Sequence, residues 1–188
     1  MPKFIEPYNP AWKAEFERIH SIIKAKLNDL DITIQHVGST SIPGLVAKPI
    51  LDIDIVLTDK GLLGNVAQRL EGLGYKSMGE QGIVGRFAFK QLSEYVPLTN
   101  PKCTWQSHHL YVCYSDSLAL KNHLLFREAL LNDKNLLESY SQLKETLTDN
   151  SQITKEKYWK QKTAFIVSVL EKMGLTAAEL EEITKTNS

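Results

Sequence analysis

A chain of 188 residues has room for one ordinary domain, or for a compact domain with a helical appendage, and excludes two large independent domains. With 43% hydrophobic and 23% charged residues it has the composition of a globular protein, which excludes disorder and fibrous repeats. Lys+Arg 22 offset Asp+Glu 22, so no global basic field gathers nucleic acid by counterion release; that argues against a nucleic-acid partner outside a local patch.

Cys103 and Cys113 are too few for a disulfide framework and fit a reducing cytosol. The opening PKFIEPYNP lacks an apolar signal region, and nowhere do eighteen apolar residues run together. The expectation is a cytoplasmic protein with no membrane span.

In chain order, Trp12, Phe16, Ile19, Ile23 and Leu27 recur at steps of three and four, predicting an amphipathic helix capped by Asn9 with Pro10 at its first position. ITIQHV at 32–37 and PILDIDIVL at 49–57 read as strands because β-branched residues dominate both. A helix over about 60–73 ends at Gly74, and strands follow near 75–78, 83–90 and 108–114. The polar stretch 92–107 between the last two strands has no periodicity, which predicts a mobile lid or a substrate loop. From 115 onward only helical patterns appear, at about 117–132, 134–148, 154–173 and 176–185. The fold class expected is α+β: a sheet core over 1–114 with a helical C-terminal portion, 115–188, packed on it.

Chemistry concentrates in HVGSTSIPGLVAKPILDIDIV, residues 36–56. Asp52 and Asp54 lie two apart in an otherwise apolar strand, so both carboxylates share a face with Cα atoms roughly 6.6 Å apart. Two such charges call for something positive, and Mg²⁺ (or Mn²⁺) takes one or two carboxylates together with phosphate oxygens and water. A solvated edge strand would show the same pair, but Leu51, Ile53 and Ile55 on the opposite face argue for a strand inside a sheet.

Gly38 directly follows a strand and opens a turn with Ser39, Thr40 and Ser41. Gly38 permits close approach of a ligand, Ser39 suits an N-cap, and the first-turn amides suit an anion, although an ordinary capped turn has the same composition. No Gly-Lys-Ser/Thr closes the motif, so the P-loop kinase and GTPase classes lose support. Lys48 shares parity with the aspartates; phosphate neutralisation and a snorkelling surface lysine both fit it.

Gly-Ser, twelve residues, then Asp-Ile-Asp resembles the defining pattern of the nucleotidyltransferase superfamily. More narrowly, the 36–56 stretch resembles that of the GrpB family of uncharacterised bacterial proteins. GEQGIVGRFAF at 79–89, HHLYV at 108–112, LLFREAL at 124–130 and YWKQKTAFI at 158–166 resemble its later blocks. The resemblance implies a nucleotidyltransferase-like mixed sheet in which Gly38 and Ser39 hold a triphosphate and Asp52 and Asp54 bind the metal. The implied activity is a Mg²⁺-dependent transfer of a nucleotidyl or phosphoryl group from a nucleoside triphosphate; the alternative is a nucleotide or phosphometabolite binder without catalysis.

The superfamily usually supplies a third carboxylate from a later strand, and neither GRFAF nor HHLYV carries one. By strand parity His109 and Tyr111 share a face opposite Leu110 and Val112, so His109 is positioned to stand in as general base. GrpB proteins commonly have His-Leu-His here, and this chain has His109-Leu110-Tyr111. Glu80 is the other acid placed to reach the site. Arg86, Arg127, Tyr158 and Lys162 are further candidates for holding phosphate or stacking a base, with surface roles as the alternative. Zinc at Cys103, His108 and His109 is discounted, because paired Cys-x-x-Cys spacing is absent, and His20 and His123 carry no readable role.

Overall fold

A computed structural model describes residues 5–149 and 153–186. α1 (Ala11–Lys26) begins where Asn9 turns the chain: its side-chain Oδ1 accepts the Ala11 amide at 3.0 Å, and its carbonyl accepts that of Trp12. Five strands follow, β1 (Ile32–Val37), β2 (Leu51–Leu57), β3 (Tyr75–Gly79), β4 (Arg86–Gln91) and β5 (His108–Tyr114), with α2 (Leu63–Gly72) between β2 and β3. They form one mixed sheet in the order β1-β2-β5-β4-β3. β2 and β5 run parallel at its centre and the other pairs are antiparallel. This is the α+β architecture expected from the sequence. β4 starts at Arg86 rather than 83, because the preceding residues form a turn in which Glu80 Oε1 accepts the Gly85 amide at 2.7 Å.

Leu51, Ile53, Ile55 and Leu57 of β2, with Leu110 and Val112 of β5, pack against Trp12, Phe16, Ile19 and Ile23 of α1 and Val66 and Leu70 of α2. Each such side chain, fully buried, contributes about 1.5–3 kcal/mol through the area removed from water. The other sheet face meets α3 (Leu118–Asn132), which is followed by α4 (Lys134–Asp149), α5 (Lys155–Lys172) and α6 (Ala177–Thr186). Ser117 and Thr154 cap α3 and α5. A capping box joins Thr176 and Glu179 at the start of α6. Ile42 and Leu45, just after β1, pack with Leu130 of α3 and Tyr140 of α4, and this cluster seats the helices on the sheet.

The 92–107 segment corrects the expectation of a mobile lid or substrate loop. Val96 and Trp105 are buried, Trp105 Nε1 donates to the Pro97 carbonyl at 2.7 Å, and the Leu98 amide reaches the Leu73 carbonyl at 2.8 Å. Two apolar anchors and internal hydrogen bonds make the segment part of the α2-side core, and none of it lines the cleft described below.

Two histidines inside this framework are neutral. His36 stacks on Phe16 at 4.6 Å with Nε2 3.0 Å from Thr40 Oγ1. His108 donates from Nδ1 to the Gln106 carbonyl at 2.8 Å and accepts the Tyr75 hydroxyl on Nε2 at 2.7 Å. Burial lowers both to about 4 from the usual 6.5. The unfolded chain therefore binds protons here that the folded chain refuses, so this stabilisation is complete above pH 6.5 and is lost as pH falls toward 4. Urea midpoints at pH 7 and 4.5 are expected to differ by on the order of 2 kcal/mol for each histidine. His108→Asn should flatten this acid limb, and an unchanged slope in that variant would rule the assignment out.

Candidate functional site

Gly38 ends β1 at φ +69° and ψ −172°, a backbone region only glycine occupies without strain. A β-carbon there would lie 2.2 Å from Asp52 Oδ2, so the turn and the β2 carboxylate are in direct apposition. A single 3-10 turn, Ser39–Ser41, follows, with Ser41 Oγ closing it onto the Gly38 carbonyl at 2.7 Å. Ser39 does not cap this turn, contrary to expectation; its Oγ accepts Lys144 Nζ of α4 at 2.7 Å.

Register supplies the rest. Asp52 pairs with His109 and Asp54 with Tyr111, so four polar side chains project from neighbouring central strands on the face away from α1 and α2. His109 Nδ1 donates to Asp52 Oδ1 at 2.9 Å, and this hydrogen bond raises the imidazole above its ordinary value against the opposing effect of burial. Asp54 is 0% exposed. Its Oδ2 accepts His123 Nδ1 of α3 at 2.7 Å, while its buried Oδ1 has no hydrogen-bond partner. Burial works to lower His123, but the Asp54 charge and hydrogen bond prevail, and the net shift is upward. Arg86 of β4 lies with its guanidinium carbon 4.5 Å from the Tyr111 ring centroid, and its buried Nε is also unpartnered.

These groups open into a cleft of about 480 Å³ between the sheet and the helices. Lys48, Arg86, Arg127, Lys144 and Lys162 line it, and Asp52 is the one carboxylate among its lining residues. A chain with no net charge has thus gathered four cations and the buried Lys144 amine around one acid, a potential suited to a polyanion. Gly38, Ser39, His109 and Tyr158 also line it, so most of the residues singled out in the sequence meet here. Asp54 lies beneath the floor, in contact with the lining residue His123.

Two candidates fall elsewhere. Thr40 is buried with its hydroxyl on His36, and Glu80 closes its own turn; neither lines the cleft. Lys48 lies outside β2, which begins at Leu51, yet reaches the cleft and stands 5.7 Å from the Tyr158 ring centroid. Arg127 also braces the end of β1, donating to the His36 carbonyl at 2.5 Å and to Gln35 Oε1 at 3.3 Å. Phe165, on the Tyr158–Lys162 side of α5, stacks on Tyr140 at 4.9 Å.

His123 and Lys144 were not legible as site residues. Lys144 does leave a trace in the sequence: it falls at the four-residue step after Tyr140 and three before Leu147, an apolar position of α4.

The donor set fits a hard divalent cation. Asp52 and Asp54 supply oxygens from one strand face, and the unpartnered Asp54 Oδ1 is a buried negative atom of the kind a cation would satisfy. Among the described residues no group of three His, Cys, Asp or Glu side chains is placed to hold an ion alone. Such a site depends on water and ligand oxygens to complete its coordination.

Comparison with known proteins places this architecture. The UPF0157 protein YqkA of Bacillus subtilis is 31% identical over 140 residues, 74% of this chain; the match spans 38% of that relative's length. The crystal structure of the conserved protein GrpB from Enterococcus faecalis superposes with a TM-score of 0.71 at 27% identity, covering 96% of this chain and 98% of that one. The Cid1 poly(U) polymerase in its MgGTP-bound crystal structure has a TM-score of 0.55 at 11% identity, covering 86% of this chain and 50% of Cid1, a likeness of fold alone. The fold is therefore nucleotidyltransferase-like, and among the described residues no helix is long and apolar enough to cross a membrane. With the family pattern described as GrpB protein matching residues 2–172, nearly its whole length, this chain belongs to the GrpB family.

Proposed function

We propose that the cleft binds a nucleoside triphosphate, or a related phosphorylated small molecule, and passes its nucleotidyl or phosphoryl group to an acceptor hydroxyl. The observation that carries this reading is the contact of the Gly38–Ser39 turn with Asp52 inside a cleft lined by Lys48, Arg86, Arg127 and Lys162. Lys48, Lys162, Arg86 and the backbone amide of Ser39 would balance and orient the phosphates, and the Tyr158 ring would stack a base. Mg²⁺, or Mn²⁺, held by Asp52 and Asp54 would supply charge neutralisation and Lewis acidity at the phosphates.

In the transfer, an acceptor oxygen forms the new bond to phosphorus, the bond to the bridging oxygen breaks, and pyrophosphate leaves when the α-phosphorus is attacked. His109 takes the acceptor's proton on Nε2, because Nδ1 is committed to Asp52. Its ring must be neutral to do so, and the Asp52 bond raises its affinity for a proton. The rate should therefore fall as pH drops through that raised value.

Calorimetry with ATP, GTP, CTP and UTP in the presence of Mg²⁺ tests the reading on wild type and Asp52→Asn. The variant is expected to lose at least about tenfold in affinity for the Mg²⁺ complex, roughly the 1.4 kcal/mol or more of a charge-assisted contact. Identical heats for the two proteins would sink it.

A second reading, binding without turnover, draws on the chemistry of the neighbouring strands: β4 and β5 bring no carboxylate to the cleft, and Glu80 is committed to its turn. His109→Ala separates the two. An enzyme keeps nucleotide affinity and loses transfer of labelled α-phosphate; a binder shows no transfer in wild type either.

A further inference from the structure

Lys144 is the one lysine or arginine among the described residues that is buried, at 3% exposed. Burying an amine on the apolar face of a helix is costly, so its position between Tyr140 and Leu147 demands a compensating role. Its Nζ donates to Ser39 Oγ at 2.7 Å and to the Val46 carbonyl at 2.6 Å, spanning from α4 to both sides of the turn that faces Asp52. A neutral amine carries two N–H bonds, and these two acceptors take both. Because Ser39 Oγ accepts here, its own proton is left to donate, and both Ser39 and Lys144 border the cleft.

We propose that Lys144 is a positioning residue of the anion cleft: it orients Ser39 with its hydroxyl proton available to a bound polyanion, and it takes up one proton from solvent when the polyanion binds.

The inference rests on the phosphate-binding reading above and adds a coupled protonation to it. Burial, then the charge of Lys162 on α5, pushes Lys144 down to about 6, while Asp52 on β2 pulls the other way. The Tyr140 ring, 4.6 Å from Nζ, also favours the charged form. Arg127 of α3 and Lys48 line the same cleft and add to the repulsion on any new positive charge, and the Tyr158 ring of α5 lies 5.7 Å from the Lys48 ammonium. In the free protein the balance leaves Lys144 neutral. A polyanion entering among these cations reverses it, since its charge offsets first the burial of the amine and then the repulsion from Lys162, and rewards a third proton on Nζ directed into the cleft. At pH 8 about one Lys144 in a hundred is charged before binding, so uptake should approach one proton per ligand; at pH 5 it should fall to near zero.

The experiment is calorimetry of inorganic triphosphate, and separately of ATP, at pH 8 in buffers of different ionisation enthalpy. The slope of observed heat against buffer enthalpy counts protons. Wild type should take up close to one, and Lys144→Arg and Lys144→Met close to none. Lys144→Arg, permanently charged, should bind within roughly fivefold of wild type at pH 8, while Lys144→Met should lose more than about tenfold. If Lys144→Met does not fold, Lys144→Arg carries the comparison. Binding by wild type without proton uptake, or undiminished uptake in the variants, overturns the role of Lys144 and leaves the phosphate-binding reading standing. Failure of wild type to bind either probe removes both.

Discussion

Gly38→Ala is expected to destabilise the protein by about 2–4 kcal/mol and to abolish measurable binding of a Mg²⁺-nucleotide. Two independent penalties combine. The first is conformational: with φ +69° and ψ −172° the residue lies where a side chain strains the backbone by on the order of 1–3 kcal/mol. The second is steric, because the new methyl would meet Asp52 Oδ2 at 2.2 Å, Cγ at 2.9 Å and Cβ at 3.0 Å. β2 is a central strand and cannot retreat, so the carboxylate must swing away, breaking its 2.9 Å hydrogen bond to His109 and leaving the position from which it would hold a cation. Gly79→Ala is the control: it has the same φ of +69° and nothing within 4 Å of its added carbon, so it pays the conformational term alone. Urea denaturation and nucleotide titration of both variants measure the difference. Equal midpoints and equal affinities for the two would show that the Gly38–Asp52 contact is not a constraint.

His123→Leu should cost about 3–5 kcal/mol, the range found when one partner of a buried ion pair is removed. Asp54 has no access to solvent, and its Oδ1 already lacks a donor; without His123 its Oδ2 lacks one as well. Leucine fills much of the volume, so the loss is electrostatic rather than a cavity effect. The pH dependence has a definite sign. The folded-state affinity of His123 for its proton is raised, so the stabilisation it provides is fully present below about pH 6.5 and fades as pH rises through the raised value. The difference between wild type and variant should therefore be larger at pH 6 than at pH 9. Added Mg²⁺ should raise the midpoint of His123→Leu more than that of wild type, because the variant has lost the ion-pair partner of Asp54. A midpoint within about 0.5 kcal/mol of wild type at pH 6 would contradict the pairing.

Much of this site was written along single elements. Strand parity alone placed Asp52 and Asp54 together and put His109 and Tyr111 opposite Leu110 and Val112, since a pleated chain alternates its side chains whatever surrounds it. The glycine after β1 was legible as a point of close approach, and the structure shows that the group approaching it is the Asp52 carboxylate. Thr40 and the 92–107 segment misled for one shared reason. A hydroxyl or a polar stretch looks available from its composition, whereas His36 in one case and the α2-side core in the other had already engaged it.

Local periodicity thus determined the strands, the helices and the face on which the acids lie, while the motif blocks carried the family resemblance. Tertiary structure alone decided that His123 meets Asp54 across 69 residues and that Lys144 meets Ser39 across 105. A 3.6-residue repeat says which side of a helix is buried, not which sheet residue it comes to rest upon. That choice belongs to the docking of α3 and α4 through Leu130, Tyr140, Ile42 and Leu45, a packing arrangement of residues far apart in the chain.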